Sequence, residues 1–139
     1  MNDKQKNYPQ KGSKPEPVSF IPTLNGFKES ILTFSTANNL SDLINAIKGL
    51  AEHDCKELKA HQLRRLYDEV RKKSEPNEIQ LLRAKFAYAM ARQTSNRSKA
   101  VIAFFDTIME KVSTKEHVSE FKMFFEAVVA YHKFHHGNK

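Results

Sequence analysis

From residue 40 onward, apolar side chains recur every three or four positions, the spacing that gathers them on one side of a helix. Leu40, Leu43, Ile44, Ile47, Leu50 and Ala51 form the first stripe, with Ser41 placed to cap it and His53 and Asp54 near its end. Leu63, Leu66, Tyr67 and Val70 form a second, in a helix from about Ala60 to Lys73. The run Ser74-Glu75-Pro76-Asn77 ends it, because proline cannot supply the next helical hydrogen bond. Ile79, Leu82, Phe86 and Met90 mark a third helix, from after Asn77 to about Ser95. A fourth spans about Lys99 to Val112, with Val101, Ile102, Phe104, Phe105, Ile108 and Met109. Ser113 and Thr114 resemble a cap for a last helix that runs to about His136. That helix turns Val118, Phe121, Phe125, Val128 and Val129 inward, and Gly137 terminates it. No strand-like alternation, tight hairpin or long sequence repeat interrupts the pattern. It predicts an all-α fold, a compact bundle of four to five helices with short loops.

The first forty residues are less regular. Residues 27–34 mix Phe27, Ile31, Leu32 and Phe34 with Thr and Ser and fit no single element. Residues 1–26 read as a flexible basic arm, leaving one helical domain over 27–139. Pro9, Pro15, Pro17 and Pro22 lie in this arm with Lys4, Lys6, Lys11 and Lys14, and few apolar side chains offset the entropy of ordering it. A disordered terminus with no partner explains the same composition.

Composition narrows the class. A chain of 139 residues supports a single core. The lone Cys55 excludes an internal disulfide framework and a multi-cysteine zinc site, and fits a reducing compartment. No GxGxxG or GxxxxGK occurs, no apolar run is long enough to span a bilayer, and the N-terminus lacks a secretory signal. A cytoplasmic location is expected.

Charge changes the picture more. The net charge of +7 hints only weakly at an anionic partner. Its distribution says more. Residues 59–73 hold six basic and two acidic side chains, and residues 83–99 hold five basic and none acidic. These two successive helices carry more than the whole net charge. Within residues 59–73, pairs four apart (Arg64–Asp68, Arg65–Glu69, Asp68–Lys72) absorb part of it. Residues 83–99 have no acid of their own to do so. On the third helix Leu81, Lys85, Tyr88 and Arg92 fall within about 60° of one another, well away from the apolar stripe. Cations that neutralise phosphates beside an aromatic that stacks on a base or ribose are the parts of a nucleic-acid groove. Ala84, Ala87 and Ala91 flank this face and permit close approach. The candidate contacts are Arg64, Arg65, Arg71, Arg83, Lys85, Tyr88, Arg92, Arg97 and Lys99.

Candidates for catalysis or metal binding are poor. His132, His135 and His136 share a turn, but no cysteine is near and Glu126 is almost two turns away. His132 reads as a packing histidine, and His135 and His136 as surface residues. Cys55 has His53 and His61 nearby, yet a helix-end cysteine in a small bundle is usually inert. His117 with Glu116 and Glu120 offers no pocket. The aromatic run Phe121, Phe124, Phe125, Tyr131 and Phe134 reads mostly as core, with Phe124 and Tyr131 on a flank open to a partner subunit. No catalytic residue, metal or cofactor is expected.

Residues 63–71 read LRRLYDEVR, residues 81–92 LLRAKFAYAMAR and residues 121–133 FKMFFEAVVAYHK. In this order on a helical chain of this size, they resemble the small helical subunit of type III-A CRISPR interference complexes (the Csm small subunit). The likeness covers roughly residues 58–135. It implies a non-catalytic RNA-binding subunit, stacked head to tail along the guide RNA–target RNA duplex in antiviral defence. Larger subunits would hold the guide and cleave the target. By position it carries over to Arg64, Arg65, Arg71, Lys85 and Arg92. The competing reading is a basic protein-interaction module that self-associates and docks an acidic partner. A helix-turn-helix DNA reader ranks below both, because the third helix lacks base-reading side chains at its start.

Overall fold

A computed structural model describes residues 18–137. Among them are seven α-helices and no strand: α1 (Ile21–Asn25), α2 (Lys28–Ile31), α3 (Leu40–Gly49), α4 (Ala60–Arg71), α5 (Pro76–Ala91), α6 (Asn96–Met109) and α7 (Lys115–His136). The five longer helices are the expected bundle. α7 runs through its middle and touches α3, α4 and α5, while α6 packs on α5.

Five phenylalanines from three helices make the centre. Phe86 of α5, Phe105 of α6 and Phe121, Phe124 and Phe125 of α7 are all fully buried. Phe105 stacks on Phe125 at 4.6 Å between centroids, and Phe86 meets Phe125 edge-on at 6.1 Å. Phe124 therefore belongs to the core and not to a flank facing a partner. Phe134, read as part of a mostly core aromatic run, is 78% exposed. Tyr131 lies half-buried beneath the Lys48 ammonium.

The helix starts follow local chemistry. Glu75, not Asn77, sets the start of α5. Its side chain and that of Glu78 form a reciprocal capping box, with Pro76 in the first turn. Backbone N–H groups of Ser74 and Glu75 donate to Glu78 and hold its carboxyl below the usual range. Ser95 Oγ accepts from the N–H groups of Arg97 and Ser98, so α6 begins earlier than the apolar stripe indicates. Thr114 caps α7 as expected, and Gly137 ends it at a φ of +64°, a left-handed value that suits glycine. Ser41 is not a cap, because the chain is already helical at Leu40.

The region before α3 departs furthest from the sequence reading. Residues 18–26, assigned to the arm, are packed against the domain, while residues 1–17 lie outside the described residues. Leu24, Ile31, Leu32 and Phe34 enter the core. The ambiguous 27–34 stretch becomes α2 and the start of a 3₁₀ turn at Phe34–Thr36. Two carboxylates fasten this strap. Asp54 accepts from Ser19 Oγ at 2.6 Å and Phe20 N at 2.8 Å. Glu120 accepts from Ser35 N at 2.6 Å and Ser35 Oγ at 2.8 Å. The Phe20 ring lies over Gly49, where a Cβ would sit 2.5 Å from it, and stacks on His53. Just past Gly49 the helix widens into a π-turn, Leu50–Asp54, closed by Cys55 N donating to Leu50 O at 3.0 Å.

Candidate nucleic-acid interface

α4 and α5 follow each other across a short link but touch only sparsely, and a cleft of about 310 Å³ opens between them. From α4 it is lined by His61, Gln62, Arg65, Leu66 and Glu69, residues that share one side of that helix. From α5 and the residues after it come Lys85, Tyr88, Ala89, Arg92 and Gln93. Leu66 and Ala89 give an apolar floor, being buried and half-buried. Three cations stand around that floor with one carboxylate.

The cations are lightly held. Lys85 Nζ lies 3.3 Å from Glu69 Oε1, an ion pair whose lysine side chain is 63% exposed. Exposed pairs of this kind contribute at most about 1 kcal/mol. The Arg92 guanidinium lies over the Tyr88 ring, 5.6 Å from its centroid. Arg65 is exposed and makes no ion pair among the described residues. Tyr88 is 67% exposed and Leu81, one helical turn before Lys85, is 76% exposed. The face read from helical spacing is exposed, and three of its four residues, Lys85, Tyr88 and Arg92, line the cleft.

Of the nine candidate contacts, four line this cleft: Arg65, Lys85, Tyr88 and Arg92. Arg83 turns the other way. It donates through Nε and Nη2 to both Asp106 oxygens, at 2.8 and 3.2 Å, and through Nη1 to Gln80. The hydrogen bond to Asp106 raises its pKa further. Arg97 reaches the N-terminal strap, 3.5 Å from Asp54 Oδ2 and donating to the Val18 carbonyl. Arg71 pairs with Asp68 at 3.0 Å, while Arg64 and Lys99 are exposed away from the cleft lining. Residues 83–99 have no acid of their own, and three of their cations find one elsewhere in the chain. Glu69, Asp106 and Asp54 are remote in sequence and adjacent in the fold. Asp68 and Glu69 likewise choose Arg71 and Lys85 over the partners expected from spacing.

Sequence reading missed His61, Gln62 and Gln93. The signal was present, since His61 and Gln62 precede Arg65 by one turn. Gln93 sits beside Arg92 and donates to the Ala89 carbonyl at 3.2 Å.

The other candidates serve the fold. His132 is 2% exposed, and its Nε2 lies 2.8 Å from Leu58 O and 3.2 Å from Cys55 O. Both partners are acceptors, so Nε2 carries the proton and donates. Burial pulls the His132 pKa below its ordinary value of 6.5. His136 is half-buried instead of superficial, and its Nε2 donates to Ala51 O at 2.9 Å. His135 is half-buried too. Cys55 is fully buried, which pushes its thiol up. His117 Nδ1 accepts from Ser113 N at the start of α7. Among the described residues no group of three or more His, Cys, Asp or Glu is arranged to hold a metal, and no helix is long and apolar enough to cross a membrane.

Fold and cleft together define a small all-helical protein with a cationic, aromatic-walled groove on one face. A family comparison is specific about which such protein this is. The Csm2 Type III-A family model matches residues 37–138, well over half of the chain, and the chain belongs to that family. It is thereby a small subunit of a type III-A CRISPR effector complex, a structural component that works with the other Csm subunits. Comparisons with curated proteins and with solved structures returned no match.

Proposed function

We propose that the α4/α5 cleft is an RNA-binding surface. Through it the subunit lines the groove along the guide RNA–target RNA duplex by sequence-nonspecific backbone contacts. One observation carries this reading. Arg65, Lys85 and Arg92, from two successive helices, converge with Tyr88 on a single cleft that contains one acid, Glu69. Cations that close together neutralise phosphates better than scattered ones, and the weak Lys85–Glu69 pair gives way to a phosphate at small cost. Contacts to phosphate and ribose position a strand without reading its sequence, which suits a subunit that must accept any guide. The subunit contributes no catalytic group on this reading and acts in the cytoplasm in antiviral defence. Copies stack head to tail and help monitor complementarity.

The test is the salt dependence of RNA binding by the full chain, followed by fluorescence anisotropy. Affinity should fall steeply between about 50 and 200 mM salt, as counterion release requires. Affinity unchanged over that range contradicts the proposal. The exposed Leu81 and Phe134 favour a second role, contact with neighbouring protein subunits, in which the basic face docks an acidic partner. Assembly of the free chain that persists after RNase treatment and high salt would support it.

A further inference from the structure

The cleft has a floor and an aromatic wall that phosphate contacts alone do not use. An A-form duplex keeps its bases stacked inside and presents phosphates and riboses to a protein. Cations on a flat helical face would suffice for those. Here Leu66 and Ala89 floor a depression of about 310 Å³ beside Tyr88. That volume is at the small end of ligand sites, enough for a single base with its ribose and too small for stacked base pairs. Tyr88 is 67% exposed and joins no aromatic pair among the described residues. An exposed tyrosine that packs on nothing aromatic, in a cleft that also has apolar lining, has the makings of a stacking platform. Arg92 already lies over its ring, which steadies the ring and adds a planar cation beside it. Gln62 and Gln93 also line the depression; the Gln93 amide nitrogen donates to the Ala89 carbonyl, and the Gln62 amide and the Gln93 oxygen can meet a base edge. Arg65, Lys85 and Arg92 line the same depression, so a nucleotide seated there has cations beside it for its phosphates.

We infer that the α4/α5 cleft seats the base of a single unpaired nucleotide, stacked on Tyr88, while Arg65, Lys85 and Arg92 hold the adjoining phosphates. This rests on the RNA-binding reading and adds to it a preference for strand over duplex. A nucleotide displaced from, or never part of, base pairing is the ligand class. Tyr88 is the residue that distinguishes it from backbone contact alone.

The experiment compares three probes with the full chain at one salt concentration: short single-stranded RNA, the same strand with its bases removed, and a blunt RNA duplex. The intact strand should bind about tenfold more tightly than either of the others. Tyr88→Ala should abolish that difference and Tyr88→Phe should keep it. Both substitutions fall at an exposed side chain and leave the core untouched. Equal binding of intact and base-free strands overturns the base seat and leaves the backbone reading standing. Binding of none of the probes overturns both. Free AMP competing as well as the strand, at equal concentration, shows that the cleft takes a nucleotide not attached to RNA and overturns the inference as stated.

Discussion

Asp54 and Glu69 are carboxylates at two meeting points of the bundle, and they do opposite work. Asp54 is 2% exposed and is saturated from within: Ser19 Oγ and Phe20 N donate to it and Arg97 stands beside it. Glu69 faces a cleft and holds one exposed lysine at 3.3 Å. Around Asp54 the Ser19 hydroxyl, the Phe20 N–H and the Arg97 guanidinium are committed to fastening the strap of residues 18–36. Around Glu69 cations outnumber the acid, and an anion has somewhere to bind. The two arginines that flank the cleft-facing cations in sequence, Arg83 and Arg97, belong to the first kind of region. A basic residue is informative about ligands only when the fold leaves it unspent.

Breaking the fastened region should have the largest effect. Asp54→Ala leaves the Ser19 hydroxyl and the Phe20 N–H without their acceptor and takes the carboxylate from beside the partly exposed Arg97 guanidinium. It should cost about 3 kcal/mol in urea unfolding, with the salt dependence of RNA binding unchanged in the protein that remains folded. The pH dependence of stability should be the next largest. His132 is neutral in the fold and its pKa lies below the ordinary 6.5. Protonation therefore favours the unfolded chain. The contribution is complete above pH 6.5 and is lost as pH falls through the folded-state value. Urea midpoints measured from pH 8 to pH 5 should fall in the wild type. They should fall less in His132→Gln, which cannot take up the proton.

Smaller effects sharpen the contrast along one helix. Arg83→Ala removes a half-exposed bidentate pair with Asp106 and should cost up to about 1 kcal/mol in the same unfolding assay. Lys85→Ala, two residues away, should change stability by less than about 0.5 kcal/mol. It should nevertheless lower the slope of log affinity against log salt by about one.

Much of this was legible in the chain. The stripes Leu63/Leu66/Val70 and Ile79/Leu82/Phe86 place α4 and α5, and helical spacing alone puts Lys85, Tyr88 and Arg92 on one outward face. Helical periodicity is local, so it survives without knowledge of the partner. Three things were not legible, for a common reason. Arg83 meets Asp106 and Arg97 meets Asp54 across 23 and 43 residues of sequence, and no local rule pairs them. The packing of residues 18–36 depends on Asp54, Glu120 and the close approach of Phe20 to Gly49, which are tertiary facts. Phe124 and Phe134 exchange places relative to expectation. Phe124 sits at the edge of the apolar stripe of α7, where Phe104 and Phe105 of α6 meet it edge-on, and Phe134 lies on the far side of the helix.

Arg65, Lys85 and Arg92 are available to RNA, and Arg83 and Arg97, already paired with Asp106 and Asp54, are not. This division is tested most directly by the salt slope of RNA binding in five single variants of the full chain. Arg65→Ala, Lys85→Ala and Arg92→Ala should each lower the slope by about 0.7 to 1, one phosphate contact apiece. Arg83→Ala and Arg97→Ala should leave it as in the wild type. Slopes lowered equally by all five, or a wild-type affinity indifferent to salt, would contradict the account.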